Sequence, residues 1–278
     1  MYHEYFGLRE EPFNITPDPR FLYLTAQHHE ALNHVLYGIG QRKGFILLTG
    51  EVGTGKTTIC RAVLRKLPSG FQSSLILNPA LSKTELLRAI VAEFGFRPPG
   101  KHPGPGGRLE HLSLLNEHLL RVNCAGGEAV LIIDEAQDMS PEALEMVRLL
   151  SNLETERQKL LQIVLVGQPE LRNMLARPQL RQLSQRITIR YHLTNMSRHE
   201  TAGYLSHRLT IAGAHNAKTP VRFEPGAIRE IFRHSHGTPR LINALGDKAL
   251  LAGYVSRTSR INRKLVRRAA RELKEACA

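Results

Sequence analysis

The stretch at 44–67, GFILLTGEVGTGKTTICRAVLRKL, decides the fold. Its first seven residues form a short apolar, β-rich run, and TTICRAVLRKL carries helical spacing. Between the two, Gly50-Glu51-Val52-Gly53-Thr54-Gly55-Lys56-Thr57 is a complete G-x-x-x-x-G-K-T P-loop, placed after a strand and opening a helix. The glycines let successive backbone N–H groups turn toward phosphate oxygens, and the helix N-terminus adds the positive end of its dipole. Lys56 is suited to the β- and γ-phosphates, and Thr57 to a magnesium ion. The run from Gly50 through Thr58 is therefore assigned to a nucleotide.

Working outward, the next informative segment is Val130-Leu131-Ile132-Ile133-Asp134-Glu135, an apolar strand ending in two carboxylates. Asp134 is suited to hold Mg²⁺ through water, and Glu135 to polarise an attacking water. A solvated turn after a buried strand is the bland alternative, but the P-loop argues against it. Gln168 closes a further strand, LLQIVLVG, and is either a γ-phosphate or water contact or an ordinary strand-end amide. Arg181 and Arg186, in LRQLSQRI, precede the last strand; they either neutralise transition-state charge in trans or form a solvated basic helix end. Arg240, in HGTPR, opens a helix from which it is placed to reach nucleotide phosphates as a lid closes.

The wider pattern supplies the architecture. Helical spacing runs through QHHEALNHVLYGIGQR. SSLILN (73–78) reads as a strand. SKTELLRAIVAEFGF follows with Ser82 as N-cap and Glu85 completing a capping box. RLEHLSLLNEHLLRV is helical, SPEALEMVRLLSNLETE is a helix capped by Ser140 with Pro141 at its first position, and RITIRYHL is the final strand. RPPGKHPGPGG, 97–107, excludes helix and central strand and reads as a surface loop. Strand and helix alternate to about 192, and the strands are mostly continuous apolar runs, which indicates an α/β fold: a parallel sheet covered by helices on both faces. Helical periods at 197–213, 224–235, 238–254 and 262–275 then indicate a small all-helical domain. The expected organisation is an N-terminal arm at 1–25, a nucleotide-binding αβα core at 26–193 and a helical lid at 194–278.

Composition narrows the functional classes. With 42% hydrophobic and 23% charged residues over 278 positions, disorder is excluded as a description of the whole chain. Cys60, Cys124 and Cys277 form no C-x-x-C pair, which argues against a disulfide framework or thiolate zinc site and fits a reducing compartment. No apolar run approaches a bilayer span and no signal-peptide core is present, so a cytoplasmic protein without a transmembrane segment is expected. The formal charge is +13, unevenly spread. Residues 1–170 hold 17 basic and 19 acidic side chains, whereas 171–278 hold 21 and 6. The basic part faces either nucleotide phosphates, a second anionic partner, or solvent.

These elements together look like an AAA+ ATPase: P-loop, Asp-Glu strand end, polar residue after the next strand, arginines before the last core strand, arginine in a helical lid. More narrowly, YFGLREEPFNITPDPRFLYLTAQHHEAL, LLTGEVGTGKTT and DEAQDMSPEALEMVRLLSNLET…LLQIVLVGQPEL…LRQLSQRI resemble the ExeA/GspA family, including MshM-like proteins of type IV pilus assembly, over about residues 1–255. The resemblance implies ATP with Mg²⁺ as ligands and a three-layer αβα P-loop core followed by a helical lid. It implies Lys56 and Thr57 as Walker A residues, Asp134 and Glu135 as Walker B, Gln168 as sensor 1 and Arg240 as sensor 2. Arg186 corresponds to the arginine finger of a neighbouring subunit, with Arg181 as its competitor.

Longer members of that family continue into a membrane span and a peptidoglycan-binding domain, whereas this sequence stops at Ala278. A role at the inner membrane is then expected to depend on a partner. The family is also similar to helper ATPases of DNA transposition (MuB, TniB, IstB and TnsC types). The leading expectation is an oligomeric ATP hydrolase that drives or regulates assembly of a secretion or type IV pilus machine, with those assembly proteins as partners. The alternative is a DNA-binding helper ATPase, supported by Arg257, Arg260, Arg263, Lys264, Arg267 and Arg268. A nucleotide-gated scaffold with negligible turnover is the third class.

Overall fold

The computed structural model describes residues 2–14, 18–95, 108–156, 158–214 and 220–275; the proline- and glycine-rich segment 97–107 lies outside them. The chain divides into two compact units. One comprises Met1–Gln27, Val52–Thr58 and Thr194–Ala278, the other His28–Glu51 and Ile59–Leu193.

The second unit is built on five parallel strands: β1 (Phe45–Gly50), β2 (Phe71–Ile76), β3 (Glu128–Ile133), β4 (Leu161–Gly167) and β5 (Ile187–Leu193), in the order β2-β3-β4-β1-β5. The three central strands are the apolar runs. Every residue of β1 and β4 is buried, and only Glu128 of β3 is half-buried, as a sheet sandwiched between helices requires. The edge strands β2 and β5 mix buried and exposed residues because one side lacks a neighbour. Around the sheet run α2 (Ala26–Gly40), α3 (Lys56–Lys66), α4 (Lys83–Glu93), α5 (Arg108–Cys124), α6 (Pro141–Leu150), α7 (Pro169–Leu175) and α8 (Arg181–Arg186); α2 and α3 each begin in the other unit. Leu86, Leu87 and Ile90 of α4, Leu115 and Leu119 of α5 and Leu144 and Val147 of α6 share one core with Leu131, Ile133 and Leu165 of the sheet.

The helix starts follow the capping chemistry. Ser82 Oγ accepts the N–H of Glu85 while Glu85 Oε2 accepts the N–H of Ser82, and Ser140 Oγ accepts the N–H of Ala143 at 3.1 Å. Each satisfies backbone donors that a helix start leaves open. Register matters for function. Thr49 pairs with Gly167, and Ile133 with Leu165. The carboxyl ends of β1, β3 and β4 therefore reach one edge of the sheet together.

The first unit contains α1 (Tyr2–Tyr5), α9 (Arg198–Ile211), α10 (Pro225–Ser235), α11 (Pro239–Val255) and α12 (Arg263–Glu275). The helical periods read from the sequence are present. Between the helices, β6 (Arg222–Phe223) and β7 (Arg260–Ile261) also pair in parallel, a ribbon too short to register as a pattern. The apolar residues of the N-terminal arm belong to this core: Tyr2, Phe6, Leu8, Phe13 and Phe21 pack with Leu205, Ile231, Ile242, Leu245 and Val266. Arg208 ties the arm down. It is buried, lies 4.8 Å from the ring centre of Phe21, and donates to the carbonyls of Pro12 and Asn14 and to Tyr204 Oη. Phe13 and Tyr23 pack edge-to-face against Phe223 and Tyr204.

Candidate functional site

The P-loop has the backbone its sequence calls for. Gly53 and Gly55 hold φ of +78° and +101°, the left-handed region that disfavours any residue with a Cβ. Thr54 and Lys56 are buried, and Lys56 opens α3. At Gly53 space is a second constraint: a Cβ there would lie 2.8 Å from Arg240 Cβ and 3.2 Å from Thr238 Cγ2. Thr238 caps α11, and Arg240 stands at the second position of that helix. The structure therefore puts Arg240 directly against the P-loop.

At the other group of residues, Asp134 follows β3 and is 2% exposed. Glu135 adopts left-handed backbone angles, φ 51° and ψ 38°, at the entrance to a single 3₁₀ turn, Ala136–Asp138. A left-handed non-glycine residue costs about 1–2 kcal/mol, and such strain persists only where surrounding contacts over-determine it. Here they do. Asp134 Oδ1 accepts the Glu135 N–H at 2.9 Å. Gln137 Nε2 donates to Glu135 Oε2 at 2.8 Å, and Gln168 Nε2 approaches the same oxygen at 3.4 Å. The Gln168 N–H in turn donates to Gln137 Oε1 at 2.9 Å. Gly167 makes room for this closure, since a Cβ on it would stand 2.8 Å from Gln137 Oε1.

One oxygen of Glu135 is thus occupied by two amides, and Oε1 keeps no hydrogen-bond partner among the described residues. A carboxylate fixed through one oxygen and open at the other is suited to accept a proton from water. Gln137 was not singled out from the sequence. Its role depends on the 3₁₀ turn folding it back toward Glu135 and on a strand thirty residues further on; the only local signal was its position two residues after the acid.

The two arginines before β5 make no hydrogen bond to these groups among the described residues. Arg186 Nη1 donates to Ser151 Oγ and Asn152 Oδ1, both at 2.6 Å, and to the Arg148 carbonyl at 3.4 Å, closing the C-terminal end of α6. Arg181 is exposed and makes no ion pair or side-chain hydrogen bond among the described residues. Thr57 carries a hydroxyl and Asp134 a carboxylate, each by itself a hard oxygen donor of the kind magnesium selects. Among the described residues no group of three His, Cys, Asp or Glu could cage a metal alone.

Comparison with known proteins adds the following. Residues 39–175 match the family model described as "AAA domain". The chain is 47% identical over 262 residues to General secretion pathway protein A of Aeromonas hydrophila, covering 94% of this chain and 46% of that protein. It thus spans about half the length of this relative. Among solved structures, the ORC2 protein of Aeropyrum pernix, in ADPNP–ADP complexes, superposes with a TM-score of 0.69 at 18% identity, over 95% of this chain and 71% of that one. The RuvB Holliday junction branch migration motor of Thermotoga maritima superposes at 0.58 with 19% identity, over 91% and 73%. These two share the fold.

Proposed function

Since the chain belongs to the ExeA/GspA-like AAA ATPases, we propose that it binds ATP with Mg²⁺ at residues 50–58 and hydrolyses it to drive or regulate assembly of a secretion or type IV pilus machine. The observation that carries the hydrolytic part is Glu135, clamped at Oε2 by Gln137 and Gln168 and open at Oε1. In this reading the P-loop amides and Lys56 bind the β- and γ-phosphates, and Arg240 secures them from the lid. Glu135 Oε1 takes the proton as water attacks the γ-phosphorus; the bond to the bridging oxygen breaks, releasing ADP and phosphate. Gln168 orients that water or the γ-phosphate. Thr57 and Asp134 would hold a magnesium ion, whose charge would offset that of the phosphate oxygens.

The domain organisation offered with this reading is a nucleotide-binding core at 26–193 and a helical lid at 194–278, with the arm at 1–25 packed into the lid's core. Assembly into a homo-oligomer would let one subunit supply an arginine to another. Arg181, exposed and without a polar partner among the described residues, suits that task better than Arg186, which is tied to its own α6. The secretion role draws on the kinship with General secretion pathway protein A; no described helix is long and apolar enough to cross a membrane.

The test combines nucleotide binding with complementation. Lys56→Ala is expected to abolish ATP binding and to fail to restore protein secretion or surface pili in a host lacking the wild-type gene. Full restoration by Lys56→Ala would refute an ATP-driven role in assembly.

A further inference from the structure

The nucleotide explains Lys56 and Arg240 but leaves the positive charge of the C-terminal helices unassigned. Much of it converges at one place. Glu230 of α10 is 2% exposed, and Arg233, Arg263 and Arg267 all bind its carboxylate, at 2.7, 2.7 and 2.6 Å. His234 Nε2 stands 3.9 Å from the same group. Arg233, His234, Arg267 and Arg271 line a pocket of about 270 Å³ beside it. Arg263 and Arg267 use only Nε on the acid, so both terminal nitrogens of each remain unpaired among the described residues. Their side chains are 55% and 45% exposed.

A salt bridge built for stability alone needs one arginine per carboxylate. Here a single buried acid gathers three, with Arg271 beside them, and like charges this close repel. The buried Glu230 fixes the guanidinium stems while the outer forks face solvent, and such forks match phosphate oxygens in pairs. Arg263, Arg267 and Arg271 recur every four residues along α12, which spaces them about 6 Å apart over two turns. Lys264 and Arg268 stand beside the row. A cationic row extending from a pocket suits a linear polyanion better than one small anion. It also suits a nucleic acid better than a membrane, because Leu265, Val266, Ala269 and Ala270 of α12 are buried in their own core, leaving no apolar face to insert.

We propose that the pocket and row formed by Arg233, Arg263, Arg267 and Arg271 over Glu230 bind the phosphate backbone of a nucleic acid. The inference stands independently of ATP hydrolysis.

The test is fluorescence anisotropy of the full chain with a short random-sequence DNA duplex over a salt series. The logarithm of affinity falls with the logarithm of salt by about 0.9 per phosphate neutralised. Arg233→Ala and Arg271→Ala should each lower that slope by about one contact, and the double variant by about two. Neither arginine supports the nucleotide site, so ATP turnover should be unchanged and should report that both variants fold. Arg88→Ala, an exposed charge on α4, should leave the slope unaltered. No binding at low salt, a slope indifferent to Arg233 and Arg271, or equal competition by polyglutamate would overturn the proposal. So would binding to phosphatidylglycerol vesicles in place of DNA.

Discussion

Glu135 is the residue on which the hydrolytic account turns, and its environment assigns work to a neighbour. Gln137 touches Glu135 and the Gln168 backbone, and through them sets where the open Oε1 points. Loss of such a positioning group acts on the transition state rather than on ground-state binding. Gln137→Ala is therefore expected to lower kcat by about tenfold, less than the roughly 10²- to 10⁴-fold that the proton-transfer group itself contributes, while KM for ATP stays close to wild type. A raised KM with unchanged kcat would place Gln137 in substrate binding instead. Such a residue is hard to read in a sequence. Asp134 and Glu135 are visible because an apolar strand ends in two acids; Gln137 matters only because the chain enters a left-handed residue and a 3₁₀ turn between them.

At the scale of elements, the legible parts are those whose burial is uniform. β1, β3 and β4 are buried along nearly their whole length and read directly as apolar runs, and the helices of the C-terminal part read as helical periods. β2 runs over 71–76 rather than the expected 73–78, because its start lies along a sheet edge where the polar Gln72 and Ser73 can face water. The α10–α12 contact was hidden, since nothing local to Glu230 announces that two arginines of α12 join its own-helix neighbour Arg233. That contact makes a pH prediction. Burial alone would raise the pKa of Glu230, but hydrogen bonds from Arg263 and Arg267 and the charge of Arg233 outweigh it, holding the carboxyl below the usual glutamate range. Its stabilising contribution is then complete above the ordinary pKa of about 4.3 and disappears as pH falls through the depressed folded value. Thermal unfolding followed from pH 7 downward should show an acid loss of stability that Glu230→Gln flattens, from a lower starting Tm. An equally steep acid loss in the variant would assign it to other carboxylates.

For the whole molecule, kinship and charge point in two directions at once. The chain carries an AAA domain and is related to a secretion protein, yet it also presents a cationic row suited to phosphodiesters. Both can hold if ATP-dependent assembly and polyanion binding use different residues, as the independent locations of Glu135 and Glu230 in the sequence allow. Assembly itself has a direct consequence. Arg181→Ala subunits keep an intact P-loop, and Lys56→Ala subunits keep Arg181, so mixing the two inactive proteins should restore ATP turnover if Arg181 acts in trans. Arg186→Ala should instead lower stability by about 1–3 kcal/mol, because a charged donor to the end of α6 is lost. Mixtures that stay inactive would remove Arg181 from the shared site.

The most direct measurement of the central claim is steady-state ATP turnover of Glu135→Gln beside wild type, with nucleotide affinity determined on the same samples. ATP affinity should be retained, because Glu135 belongs to the hydrolytic step, while turnover falls by about 10²- to 10⁴-fold. Turnover equal to wild type at retained affinity would contradict the assignment of Glu135 as the group that activates water.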